Sequence, residues 1–130
     1  MPIDEQLARW HAYGQINQQA IETVGRVQQR LAVYWGADTS TPQVDVLLLH
    51  IAASLGRIGR GGCVSPLYQP MQEEMRQAPM FPQVMAMHLD LLELIPLSIP
   101  EAEQSYFLAN LYALVREQHQ RLLPAKNAVN

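Results

Sequence analysis

The sequence predicts an all-α protein: a five-helix antiparallel bundle with a short extra helix at its N-terminus. Three observations lead there. Apolar residues recur at spacings of three and four along most of the chain, the period of a helix that buries one face. Prolines, glycines and small polar residues interrupt that pattern at short intervals, which predicts short connections and therefore antiparallel neighbours. Strand signals are almost missing, with no Asn-Gly or Asp-Gly hairpin turn and no sustained apolar–polar alternation.

Residues 1–14 read as an N-terminal extension that forms a short amphipathic helix using Ile3, Leu7, Trp10 and His11. One domain follows over residues 15–122. Its first helix, about Gln15 to Tyr34, lines up Ile16, Ala20, Val24, Val27, Leu31 and Tyr34 on one face, with Gln, Glu and Arg on the other. Gly36 sits where a left-handed cap belongs. After the polar breaker Ala37–Thr41, Ser40 is placed to cap a second helix, with Pro42 in its first turn and Gln43 closing a capping box. This helix runs to about Gly59. It is apolar on most sides (Val44, Val46, Leu47, Leu48, Leu49, Ile51, Leu55, Ile58), which predicts a central position.

Gly61 and Gly62 stop it. Ser65-Pro66 starts a short third helix to about Gln77, and Pro79 and Pro82 break the chain again. A fourth helix from about Pro82 to Leu94 buries Val84, Met85, Met87, Leu91 and Leu92, and ends before Pro96. Ser98 caps the fifth, with Pro100 early and Glu101 three residues after the cap; it runs to about Leu122. Residues 123–130 form a tail. No repeat of solenoid period and no long linker divides the chain.

At 130 residues with nearly half of them apolar, the chain can build one real core. The net charge is −3, and the nine Lys and Arg are scattered with a single lysine, Lys126, so no basic stripe marks direct nucleic-acid binding. No apolar run approaches the ~20 residues that span a bilayer. One cysteine, Cys63, cannot form an internal disulfide, and no secretory signal is present, so a soluble cytoplasmic protein is expected. Cys63 is expected to be packed inside, as free cysteines usually are.

Most catalytic and cofactor chemistry is unsupported. There is no H-E-x-x-H, no Glu-x-x-His pair and no G-x-S-x-G elbow. His11, His50, His88 and His119 lie on separate segments. Gly59-Arg60-Gly61-Gly62 lacks the Lys-Ser/Thr ending of a phosphate loop and follows a helix, so it reads as a terminator. No metal and no cofactor is expected, and the chain does not read as an enzyme; an acid–base pair of His50 and Glu103 is the weak exception. Trp10, Trp35, Tyr106 and Phe107 read as core or dimer anchors. Met71, Met75, Met80, Met85 and Met87 read as adaptable packing.

Two stretches carry the functional signal: D-V-L-L-L-H-I-A-A-S-L-G-R (45–57) and I-P-E-A-E-Q-S-Y-F-L-A-N (99–110). Each sets polar groups seven residues apart, His50 with Arg57 and Glu103 with Asn110. Seven residues are nearly two turns, so each pair shares a stripe with about 20° of drift. An arginine on so apolar a helix needs an anion. That anion is either a carboxylate of a facing helix (Glu103, Asp90 or Glu93) or a phosphoryl group in a cleft or subunit interface. A cation beside His50 lowers its pKa and favours the neutral, nucleophilic ring. A phosphoryl group placed there would find charge-assisted hydrogen bonds from Arg57.

These residues resemble the PTS regulation domain (PRD) over roughly Gln15 to Gln118. In that family a helix carries a histidine with an arginine seven residues on, as His50 and Arg57 stand here. A later helix opens on Pro-Glu-x-Glu, as Pro100, Glu101 and Glu103 do, and then carries a second histidine. The resemblance implies a five-helix bundle that pairs as a homodimer. It also implies phosphorylation on histidine by the phosphocarrier protein or a sugar permease's IIB component, which sets the activity of attached domains. Asn110 stands at the second histidine's position; it cannot take phosphate, though it can hydrogen-bond to one or to His50. With no RNA-binding module or helix-turn-helix beside the bundle, the chain resembles the small stand-alone PRD proteins, whose output passes through another protein. The expected function is a regulatory phospho-acceptor, with His50 as acceptor and Arg57, Asn110 and Glu103 supporting the phosphate. The competing expectation is a constitutive dimeric helical interaction module.

Overall fold

The computed structural model describes residues 2–123, which fold into six helices: α1 (Ile3–Ala12), α2 (Gln18–Val33), α3 (Pro42–Gly59), α4 (Gln69–Arg76), α5 (Phe81–Leu92) and α6 (Glu101–Gln118). No strand occurs among the described residues. The expected all-α class therefore holds among the described residues, with six helices, of which the first is the short extra N-terminal one. The extension is a full helix, α1, because Leu7 finds a buried place against the core. Of the expected tail, only Leu123 is described.

The apolar α3 is central, packing on α1, α2 and α6, while α6 also packs on α4 and α5. Val44, Leu48 and Ala52 of α3 are fully buried, together with Val27 and Leu31 of α2, Val84 and Met87 of α5 and Leu114 of α6. Burying each such leucine contributes about 2 kcal/mol relative to leaving it in water. Burial is uneven around α3: Val46 is 50% exposed, and Leu49 and Ile58 are only partly covered. On α5, Met85 and Leu92 are likewise half-buried.

Several helix boundaries and caps differ from those expected. Thr41, not Ser40, caps α3 by accepting the Val44 N–H; Ser40 donates its hydroxyl and its N–H to Asp38 instead. Gln43 reaches across to the Asn110 carbonyl and does not close a box. Asn17 caps α2, so that helix starts at Gln18. Ser65-Pro66 starts no helix: the Leu67 N–H donates to Ser105 Oγ of α6 at 3.0 Å, which holds the segment extended until Gln69. Pro100 precedes α6 without a side-chain cap, so Ser98 does not serve.

At the far end α6 stops at Gln118, short of Leu122. The Gln118 side chain takes the Asp38 N–H at 2.7 Å and donates to the Asp38 carbonyl at 3.0 Å. The chain then turns back, buries Leu122, and the Leu123 N–H meets the Trp35 carbonyl at 2.8 Å. Gly36 has φ +72, as a left-handed cap requires. Cys63 is exposed, contrary to expectation, because it lies in the extended segment after α3 and not on a helix face.

Candidate functional site

The last turn of α3 is built to hold Arg57. Gly61 adopts φ +75, the Gly62 N–H donates to the Arg57 carbonyl at 2.9 Å, and the Gly61 N–H to Ile58 at 3.0 Å. This pair of bonds is a Schellman end. A Cβ on Gly62 would come within 2.9 Å of Arg57 Cγ, so the bare backbone lets the chain fold against the arginine stem. Helical side chains lean toward the N-terminus, and the guanidinium accordingly reaches back along α3 toward Ser54.

There it meets α6. Arg57 Nε donates to Glu103 Oε2 at 2.8 Å and Nη2 to Oε1 at 2.9 Å, while Ser54 Oγ donates to Oε1 at 2.7 Å. The Glu103 side chain is 1% exposed and that of Arg57 29%. The Arg57 hydrogen bonds hold the Glu103 carboxyl below its usual range, against burial that pushes it up, with the Ser54 bond helping. Of the three carboxylates considered for Arg57, Glu103 is thus the partner. Asp90 accepts instead from Arg30 (2.9 and 2.7 Å) and Trp35 Nε1 (2.8 Å), and Glu93 is exposed. Of the two alternatives for the anion of Arg57, a facing carboxylate or a phosphoryl group in a crevice, the carboxylate is the one present.

His50 stands two turns up α3 on the same stripe, half-buried against α6. Its ring centroid lies 5.7 Å from that of Tyr106, tilted by 36°, and 5.9 Å from that of Phe107, edge-on at 86°. Nε2 is buried and has no hydrogen-bond partner. Burial is the main reason its pKa falls below the ordinary histidine value; Glu103 pulls it up and Arg57 pushes it down. Sequence reasoning assigned that lowering to Arg57 alone, which is the smallest of the three causes. Burial thus favours the neutral form of the ring.

Asn110 does not join this group. Its Nδ2 donates 2.9 Å to the Tyr106 carbonyl on its own helix, and no hydrogen bond links it to His50. The structure therefore brings Arg57 and Glu103 together, sets His50 within their field, and leaves Asn110 apart. Ser54 was missed in the sequence, although its position four residues after His50 and three before Arg57 puts it on the same face. A hydroxyl on so apolar a stretch was the available signal. Among the described residues no cluster of His, Cys, Asp and Glu is arranged to hold a metal, and no helix is long and apolar enough to cross a membrane. The cleft of about 530 Å³ beside Arg26, Arg30, Val33 and Leu94 includes none of His50, Ser54, Arg57, Glu103 and Asn110.

No family model matches the chain, and no solved structure matches it. A Haemophilus influenzae protein described only as uncharacterized is 61% identical over 126 residues, which cover 97% of this chain and 100% of that one. The Escherichia coli uncharacterized protein YhfY is 33% identical over 72 residues, 55% of this chain and 60% of its own length. At that identity, over its whole length, the chain belongs to one family with the Haemophilus influenzae protein.

Proposed function

We propose that this chain is a regulatory helical domain of the PRD type, phosphorylated on His50 by the sugar phosphotransferase system. In this reading α2–α6 correspond to the family's five-helix antiparallel bundle, and α1 is an addition. The protein works as a cytoplasmic homodimer. It takes phosphate from the phosphocarrier protein or a permease IIB component and relays carbohydrate availability to a partner or operon. It is not itself an enzyme.

One observation carries the reading. His50 is a half-buried imidazole whose burial favours the neutral ring and whose Nε2 has no partner, on the face of α3 that also presents Ser54 and Arg57. Buried polar atoms without a partner are rare in folded proteins, and a functional role is one of the explanations for them. In the transfer, a lone pair of the neutral ring attacks phosphorus in line and forms the N–P bond. The bond from phosphorus to the donor's side chain breaks, and its electron pair leaves with that side chain. The proton already on the His50 ring stays on the other nitrogen.

The test is phosphotransfer. Phosphoenolpyruvate, enzyme I and the phosphocarrier protein should place acid-labile phosphate on the wild-type chain and none on His50→Ala. Equal labelling of the two proteins makes His50 the wrong acceptor. A second reading, a constitutive helical interaction module, is favoured by the neutralised Arg57 and by Asn110 bonding to its own helix. It predicts no labelling at all.

A further inference from the structure

Three donors of α3 converge on one anionic group of α6. Ser54 Oγ is fully buried and donates to Glu103 Oε1, while the Arg57 fork covers both carboxylate oxygens. A guanidinium fork with an adjacent hydroxyl suits a phosphoryl group as well as it suits a carboxylate. Ser54 lies one turn from His50, so the hydroxyl is the nearest of the three donors along the helix to anything bonded to that ring. His50 already senses both charges of the Arg57–Glu103 pair, and Glu103 senses His50.

Building on the phospho-acceptor reading, we propose that Ser54 and Arg57 are the receptor for the phosphoryl group carried by His50, and that Glu103 is a resident anion which this group displaces. A phosphoryl group brings close to two negative charges where the carboxylate has one, so it competes well for the guanidinium. Glu103 has no water to turn to in its place, and an ionised carboxylate left there beside a dianion is costly. It takes up a proton or leaves together with the first turn of α6. Either outcome loosens the tie between α3 and α6, which turns a local charge into a change of helix packing.

Glu103→Gln removes the competing negative charge from the receptor and tests it with inorganic phosphate alone. The Tm of E103Q should rise by about 4 °C when phosphate exceeds its Kd about tenfold. Chloride at matched ionic strength should leave it unmoved, and wild type should not respond to phosphate. Adding Ser54→Ala or Arg57→Met to E103Q should abolish the response. A folded E103Q that ignores phosphate overturns the receptor. Should E103Q fail to fold, His50→Glu serves instead: a carboxylate at position 50 should draw Arg57 away and speed amide exchange of residues 101–105 about tenfold relative to α2. Unchanged exchange also overturns the proposal. The two claims fail separately. If the wild type takes no label while E103Q still answers phosphate, the phospho-acceptor reading falls and the displacement with it. If label appears on His50 but E103Q ignores phosphate, only the receptor falls.

Discussion

Arg57 and Glu103 tie α3 to α6 through two parallel hydrogen bonds of 2.8 and 2.9 Å, with the carboxylate almost wholly out of water. Breaking such a pair from one side leaves an uncompensated buried charge. Arg57→Ala should therefore destabilise the fold by about 3 kcal/mol, the low end for buried pairs because the guanidinium keeps an exposed edge. The double variant Arg57→Met/Glu103→Leu should recover most of that loss. Urea denaturation of the three proteins checks the order.

Acid should weaken the fold in two steps. His50 and His88 are both held below the ordinary histidine value, chiefly by burial. As pH falls, the unfolded chain therefore binds protons before the folded one does. Stability is greatest above about pH 6.5 and declines from there toward the folded-state values. A His50→Gln/His88→Gln variant should show a flatter stability profile between about pH 7 and pH 5. Glu103 is lowered by its Arg57 bonds, so its contribution is present above about pH 4.5 and is lost as pH falls through its folded value. Stability measured across this range in the wild type and the double variant decides the point.

Asp90 gathers α2 and α5 as Glu103 gathers α3 and α6. It accepts three hydrogen bonds, two from Arg30 and one from the buried Trp35 indole. Asp90→Ala strands the indole N–H and should cost about 2 kcal/mol. Because the indole loses an anionic neighbour, the emission of Trp35 should shift as well. A stability loss without any change in tryptophan emission would contradict this arrangement.

The same substitution should have opposite signs at two helical glycines. Gly25 lies on the exposed face of α2, and a Cβ there meets nothing within 4 Å. Gly25→Ala should stabilise by about 1 kcal/mol through helix propensity. A Cβ on Gly56 would run into the Gln15 carbonyl oxygen, where the turn into α2 lies against α3. Gly56→Ala should cost about 2 kcal/mol by overpacking. Thermal unfolding of the pair is the measurement.

If the fold is a switch, charge at position 50 should move its self-association. In the proposed homodimer, His50→Asp should change the dimer Kd about tenfold or more, read by sedimentation, whereas Asn110→Ala, whose side chain bonds only along α6, should change it little. A dimer indifferent to His50→Asp would support the constitutive module.

The sequence by itself determined the helical class, the central place of α3 and the stripe that His50 shares with Arg57. These follow from local periodicity and from the glycines and prolines that end each run, which act within a few residues. Leu31, Val44 and Leu48 were legible as core for the same reason. Which anion Arg57 keeps was decided only in three dimensions. Glu103, Asp90 and Glu93 were equal candidates along the chain, and the crossing of α3 with α6 chose among them. The tertiary fold likewise moved the start of α4 and the end of α6, because Ser105 and Gln118 offer the backbone bonds that outlast a local cap. Ser54 became visible as part of the site for the same physical reason: a hydroxyl acquires a role from the buried charge it faces, and that charge lies 49 residues away.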